Sequence, residues 1–290
     1  MSDAALELVE ADGYGEIFRA APDSVRRAHG VEVCEVAGAT CIRLGAAAGN
    51  LMLNRVNGLG LRGPVADAEL DEIDAFFRAG GARYAIGLSP LAPPDLAPRL
   101  AKRGFARGYA SMKFRRGLEP PPEVETTLRV EEAGPDRGRL FGSIVARGFG
   151  LPDMAGEWLA ALAERPGFRL FLAYDGVEPA GAGALFARDG IGWLGIAATL
   201  PEHRRKGSQG AVLAARIRLA RELGLHALAT ETGERTDDRP SNSYRNILRA
   251  GFEEAYLRPN YVSPAQATFR NDHAPRPVIA DGRTGRARAS

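Results

Sequence analysis

The run Arg204-Arg205-Lys206-Gly207-Ser208-Gln209-Gly210 sets three cations and two glycines immediately ahead of an apolar stripe of helical spacing. The first turn of a helix presents backbone N–H groups without partners and the positive end of its dipole, so anions are drawn there. Gly207 and Gly210 let the backbone close on a phosphate with no Cβ between, while Arg204, Arg205 and Lys206 ring it with charge. The chemistry such a cradle serves is the binding of a diphosphate. Alternatively, a basic glycine turn ahead of a helix is only a solvated cap, and its surroundings decide between the two. The seven residues fit neither the Gly-x-Gly-x-x-Gly dinucleotide fingerprint nor the Gly-x-x-x-x-Gly-Lys-Ser/Thr loop, which disfavours NAD and nucleoside triphosphates.

The elements that must position this run are legible around it. Val212, Leu213, Ile217, Leu219, Ala220 and Leu223 recur at helical spacing and Gly224 stops them, so the loop opens a helix; a strand-like segment, Ile191 to Leu200, leads into it. The same order of elements occurs twice. A hairpin signal spans Val31 to Leu44 around Ala37-Gly38, and another spans Phe171 to Phe186 around Asp175-Gly176. A helix ending in Gly80-Gly81 before Tyr84 to Leu88 matches one ending in Gly224 before Ala227 to Thr230. Gly104-Phe105 and Gly251-Phe252 each close a short helix and enter a strand, Tyr109 to Phe114 and Glu254 to Val262. A duplication with a period of roughly 140 to 150 residues follows, with its boundary in Glu119-Pro120-Pro121-Pro122. In the first copy the loop position reads Leu59-Gly60-Leu61-Arg62-Gly63-Pro64-Val65, a single cation before a helix from Asp67 to Phe77, so the anion-binding charge is mostly gone.

Composition narrows the classes of function. At 290 residues, 45% hydrophobic and 26% charged, the chain reads as globular, and it has no apolar run of membrane-spanning length. The start lacks a basic region followed by an apolar core, so a cytoplasmic location is expected. A net charge of +2 gives no pull toward nucleic acid or an anionic membrane. Five arginines against two aspartates, with Gly, Pro and Ala prevailing, mark residues 264–290 as a disordered basic tail. Lysine occurs only at positions 102, 113 and 206, and the arginine, alanine and glycine bias points to a GC-rich bacterial genome. Cys34 and Cys41 would face each other across the first hairpin, and packing as reduced thiols is the expected use of them. His29, His203, His226 and His273 stand singly, so no metal is expected.

With both motifs in view, the second half resembles the GNAT superfamily of acyl-CoA-dependent N-acyltransferases, whose loop reads Arg/Gln-x-x-Gly-x-Gly/Ala. Arg204 to Gln209 fills that pattern except that Gln209 stands where Gly or Ala is usual; Ser243 to Phe252 looks like the family's late helix ending in Gly-Phe. The resemblance covers about Thr127 to Val262, and the first half looks like a degenerate copy. It implies a mixed α+β fold of two tandem GNAT-like domains, each a mostly antiparallel sheet flanked by helices. They would span residues 1–120 and 121–263.

Carried over residue by residue, the family pattern implies acetyl-CoA as acyl donor. Its diphosphate would lie on Arg204, Arg205, Lys206, Gly207, Ser208, Gln209 and Gly210, its pantetheine arm along Ala197, Ala198 and Thr199, and Asn246 would help from the late helix. The implied reaction is attack by a neutral amine on the thioester carbonyl. A backbone N–H of Ala198 or Thr199 would hold the oxyanion, and Glu231 would take the proton of an ammonium whose pKa is ~10. Many relatives protonate the leaving thiolate with a tyrosine five residues before the Phe of Gly-Phe, where this chain has Ile247. Either no side-chain acid is used or Tyr244, three residues earlier on the same helix face, serves. The acceptor would be a small-molecule amine or a protein N-terminus, and the chain a monomer or homodimer. The rival is a non-catalytic acyl-CoA sensor, favoured by the missing tyrosine and the eroded first half.

Overall fold

A computed structural model describes residues 2–236 and 241–264; the expected tail lies, from residue 265 on, outside the described residues. The first half runs α1 (Asp3–Arg19), α2 (Asp23–His29), β1 (Val31–Val36), β2 (Ala39–Leu44), β3 (Arg55–Asn57), α3 (Asp67–Ala79), β4 (Ala85–Gly87), α4 (Leu96–Lys102) and β5 (Ala106–Arg116). The second adds β6 (Arg129–Ala133) and then repeats the order. Its elements are α5 (Gly138–Phe149), α6 (Met154–Ala160), β7 (Phe168–Asp175), β8 (Glu178–Arg188), β9 (Ile191–Trp193), β10 (Ala197–Thr199), α7 (Ser208–Glu222), β11 (Ala227–Gly233), α8 (Asn242–Arg249) and β12 (Glu253–Val262). No helix among the described residues is long and apolar enough to cross a membrane.

Local chemistry explains the turns. Ala37 and Gly38 both have positive φ, 49° and 69°, the pair of left-handed residues that a two-residue hairpin turn matched to strand twist requires. That register sets Cys34 opposite Cys41, both free thiols. In the second hairpin Asp175 pairs with Glu178, so the turn is Gly176-Val177, one residue later than the Asp-Gly signal suggests. Gly176 takes the left-handed position, with φ 61°.

The twelve strands among the described residues join one mixed sheet, in the order β1-β2-β3-β4-β12-β5-β11-β9-β8-β7-β6, with β10 on β8. β6 aside, this order reads the same from either end, as a duplication requires. Its centre is an exchange: β5, the last strand of the first half, pairs with β11 of the second, while β12, the last strand of the second, pairs with β4 of the first. On one face of the sheet, apolar residues of α1, α2, α5 and α6 share a single core, exemplified by Phe18 edge-on to Trp158 at 4.8 Å. The other face carries two cores, one under α3 and α4 and one under α7 and α8. Trp158 is thus a core anchor, its indole N–H donating to the Ile17 carbonyl at 2.6 Å.

Candidate functional site

The site begins where a strand breaks. β9 pairs in parallel with β11 as far as Trp193 and Ala229, and the Leu194 N–H still donates to the Ala229 carbonyl at 2.8 Å. Ile196 then takes a left-handed conformation, φ 47°, and β10 continues on β8 alone. A break of this kind exposes backbone groups that need partners, and each carbonyl across it has one. Leu194 accepts from the Thr230 hydroxyl at 3.0 Å, Gly195 from the Arg216 guanidinium at 3.2 Å, and Ile196 from the Ala184 N–H at 2.9 Å. Arg216, 1% exposed, also donates to the Ala184 and Val212 carbonyls at 2.9 and 3.2 Å. Burial pushes its pKa down to about 9, which leaves it a cation at neutral pH.

The Ala184–Ile196 bond and the matching Leu200 N–H to Ala180 bond fix the alternation along β10. Ala198 faces β8, so the N–H and C=O groups of Ala197 and Thr199 point to the edge that β11 has left. That edge opens into a cavity of about 1190 Å³ whose lining includes Ala197, Ala198, Thr199, Arg204, Arg205, Gly207, Ser208, Gln209, Gly210 and Asn246. The structure therefore brings the whole expected cofactor set together except Lys206. That lysine turns outward, 47% exposed, with its Nζ 2.5 Å from Asp175 Oδ2. Lys206 first and His203 second hold the Asp175 carboxyl below its usual range.

Gly207 caps α7 in the left-handed region, φ 82°, and Arg205 before it also has positive φ, 65°. Ser208 opens the helix, 3% exposed, with its Oγ turned toward Gly181 of β8 and without a hydrogen-bond partner among the described residues. An unpaired buried hydroxyl is costly, and here it sits beside the free N–H groups of the first helical turn. Close approach of β8 makes room: a Cβ on Gly181 would strike Ser208 Oγ, and one on Gly183 would lie 2.6 Å from Val212.

Gln209 does not block the loop. Its amide reaches sideways to α8, donating to Ser243 Oγ at 2.7 Å and accepting from Asn246 Nδ2 at 2.9 Å, so it clasps the two helices that flank the cavity. Asn246 spends that amide on the clasp. The remaining wall is the stretch joining the halves, Pro121 to Glu125. Thr126 Oγ1 donates to the Lys206 carbonyl at 2.7 Å, and a Cβ on Gly210 would lie 3.2 Å from Val124. The two glycines thus make space for this covering segment.

Neither expected catalytic side chain is among the residues lining the cavity. Glu231, 14% exposed, lies in the seam between the halves, accepting from Tyr14 at 3.0 Å, Lys113 at 3.2 Å and Arg258 at 2.5 Å. Burial alone would raise its pKa, but Lys113, Arg258 and Arg55 outweigh burial and hold it well below the carboxylate range. A carboxylate so held is a weak proton acceptor. Tyr244 is buried edge-on to Phe114 and donates to Glu254 at 2.6 Å; burial and then that bond push its pKa up to about 12. Tyr256 donates to Glu7 at 2.9 Å in the same seam as Glu231.

No family model and no curated protein matches the chain; solved structures do. A GCN5-related N-acetyltransferase from Kribbella flavida aligns over 90% of this chain and 95% of its own, with TM-score 0.60 and 17% identity. One from Sphaerobacter thermophilus gives TM-score 0.54 at 15% identity, over 72% of this chain and 70% of its own. A tandem GNAT protein from the clavulanic acid biosynthesis pathway gives 0.56 at 14%, over 81% and 80%. The fold is that of the GCN5-related N-acetyltransferases.

Within this GNAT fold, Arg216 and Thr230 are the positioning residues that sequence reasoning passed over. Arg216 interrupts the stripe Val212, Leu213, Ile217, Ala220 on its own buried face, and a cation in such a place was the available signal. The covering role of 121–125 carried no signal beyond its prolines. The residues present fit an acyl-CoA: a diphosphate matches the first turn of α7 with Arg204 and Arg205 beside it, and an amide-bearing arm matches the open edge of Ala197 and Thr199.

Proposed function

We propose that the chain is an acetyl-CoA-dependent N-acetyltransferase working from its second half on an amine acceptor. The observation that carries this reading is the splayed edge of β10 leading directly, in one cavity, to the first turn of α7. Arg204, Arg205 and the first-turn N–H groups would hold the diphosphate, and Ala197 and Thr199 would pair with the pantetheine amides. When bound, acetyl-CoA supplies a thioester carbonyl open to attack by an amine. Negative charge on that oxygen would fall to an open-edge N–H, and the alternation along β10 favours that of Thr199 over Ala198. The titratable side chains among the lining residues, beyond the arginines, are Glu123 and Glu125 of the covering segment. The amine would shed one proton to water before attack; as the C–N bond forms the thioester C–S bond breaks, and the second amine proton passes through water to the leaving thiolate, with Glu231 acting as a structural anion.

A second reading, a non-catalytic acyl-CoA sensor, draws on the positions of Glu231 and Tyr244 outside the cavity lining. Two measurements separate the readings. Acetyl-CoA should bind the chain and bind a Gly207→Glu variant at least tenfold more weakly, because a carboxylate there repels phosphate and strains a left-handed position; equal affinity would overturn the assigned loop. Coenzyme A release above background with small amines, amino acids or peptide N-termini supports the transferase, whereas binding without release across that panel leaves the sensor.

A further inference from the structure

The cavity has a second group of cations that the diphosphate loop does not use. On α8, Asn242, Arg245, Asn246 and Arg249 follow helical spacing down one face, and all four line the cavity. Among the described residues no carboxylate lies within ion-pair distance of Arg245 or Arg249, although this chain pairs its arginines freely elsewhere. Arg245 is steadied along the helix by a bond from its Nη2 to Asn242 Oδ1 at 2.5 Å. The Gln209 clasp holds this face a fixed step from the first turn of α7. One cavity thus presents two separate anion-seeking surfaces, the loop Arg204–Ser208 on one wall and Arg245 with Arg249 on the other.

We infer that Arg245 and Arg249 form a phosphomonoester subsite that recognises the 3′-phosphate of the coenzyme A moiety and selects it over 3′-dephospho-coenzyme A. The inference rests on the acyl-CoA reading of the cavity. A ligand carrying a diphosphate and, a ribose away, a dianionic phosphate answers both surfaces at once. Two guanidiniums on one helix face offer the forked donors that such a group takes. Both side chains are exposed and outside the core, so replacing them leaves folding intact.

The test is a calorimetric titration of the full chain with acetyl-CoA and with 3′-dephospho-acetyl-CoA, repeated on Arg245→Gln/Arg249→Gln and on Arg204→Gln. The wild type should prefer the 3′-phosphorylated ligand by roughly tenfold to a hundredfold. The α8 double variant should lose that preference by weakening acetyl-CoA alone, whereas Arg204→Gln should weaken both ligands by the same factor and keep the preference. Equal wild-type affinity for the two ligands, or an α8 variant that weakens both alike, overturns the subsite while the acyl-CoA reading stands. Failure of both ligands to bind the wild type overturns both.

Discussion

At the scale of single residues, Ser208 and Gln209 carry the most information. Ser208 Oγ is buried without a partner against Gly181 of β8, so removing it should not harm folding, while the backbone of Ser208 belongs to the first turn of α7 that lines the cavity. Ser208→Ala should therefore keep or slightly raise the thermal midpoint and leave acetyl-CoA affinity within about twofold, because the first-turn N–H groups are unchanged. Calorimetry and thermal melting check the two halves of that expectation; a large fall in the midpoint would mean that the hydroxyl is structural. Gln209 stands where the family pattern has a small residue, and its side chain leaves the loop by bonding Ser243 and Asn246 on α8. Its departure from the pattern is accommodated by direction, because only its backbone N–H belongs to the cradle.

At the scale of elements, the decisive event is the parting of β10 from β11. Three carbonyls across the break are satisfied by Thr230, Arg216 and Ala184, and Arg216 alone ties together α7, β8 and the break. Arg216→Met should cost about 2–4 kcal/mol, since two buried carbonyls lose their donor even though a buried charge is removed as well. Acetyl-CoA affinity should fall with it as the edge of β10 loosens. A urea unfolding series checks the first effect, and an unchanged midpoint would show that water replaces the guanidinium. Glycines act at this scale too: a Cβ on Gly148 of α5 would lie 2.5 Å from the Ala198 side chain, so that helix braces the splayed strand from the opposite face.

At the scale of the whole molecule, the exchange of β5 and β12 makes the two halves one sheet, and the seam is sealed by charge. Glu7, Glu10 and Glu231 face Lys113 and Arg258, with Arg258 2.6 Å from Glu7 and 2.8 Å from Glu10. Burial acts to raise Glu7 and Glu231, but the neighbouring cations win and hold both below their ordinary values. Depressed carboxylates contribute stability that is complete above their unfolded-state pKa, ~4.3, and drains as pH falls toward the folded-state values. The thermal midpoint should accordingly decline as pH is lowered from 5 toward 3. Glu231→Gln, which strands Lys113 and Arg258, should cost about 3–5 kcal/mol at neutral pH and soften the acid decline. A midpoint that stays flat to pH 3 would remove the seam as a source of stability. The first half supplies α1 and β5 to this seam, so it braces the half that carries the cavity without needing a loop of its own.

The sequence by itself determined the elements and their repetition. Helical spacing after Gly207, the glycine stops at Gly80-Gly81 and Gly224, and the left-handed pair Ala37-Gly38 are local signals, set by backbone sterics and by burial of one face of an element. Ten of the eleven residues expected to hold a cofactor line one cavity, because they come from one turn and its neighbours. What only the tertiary structure decided depends on pairings between distant segments. Lys206 is captured by Asp175, Glu231 is neutralised by Lys113 and Arg258 from other strands, and Tyr244 is turned into the core toward Glu254. The exchange of β5 and β12 is of the same kind, since either half could close its sheet with its own last strand as far as local pattern goes. A side chain's type and spacing say what it can bind; the partner it meets across the fold decides whether that capacity is still free.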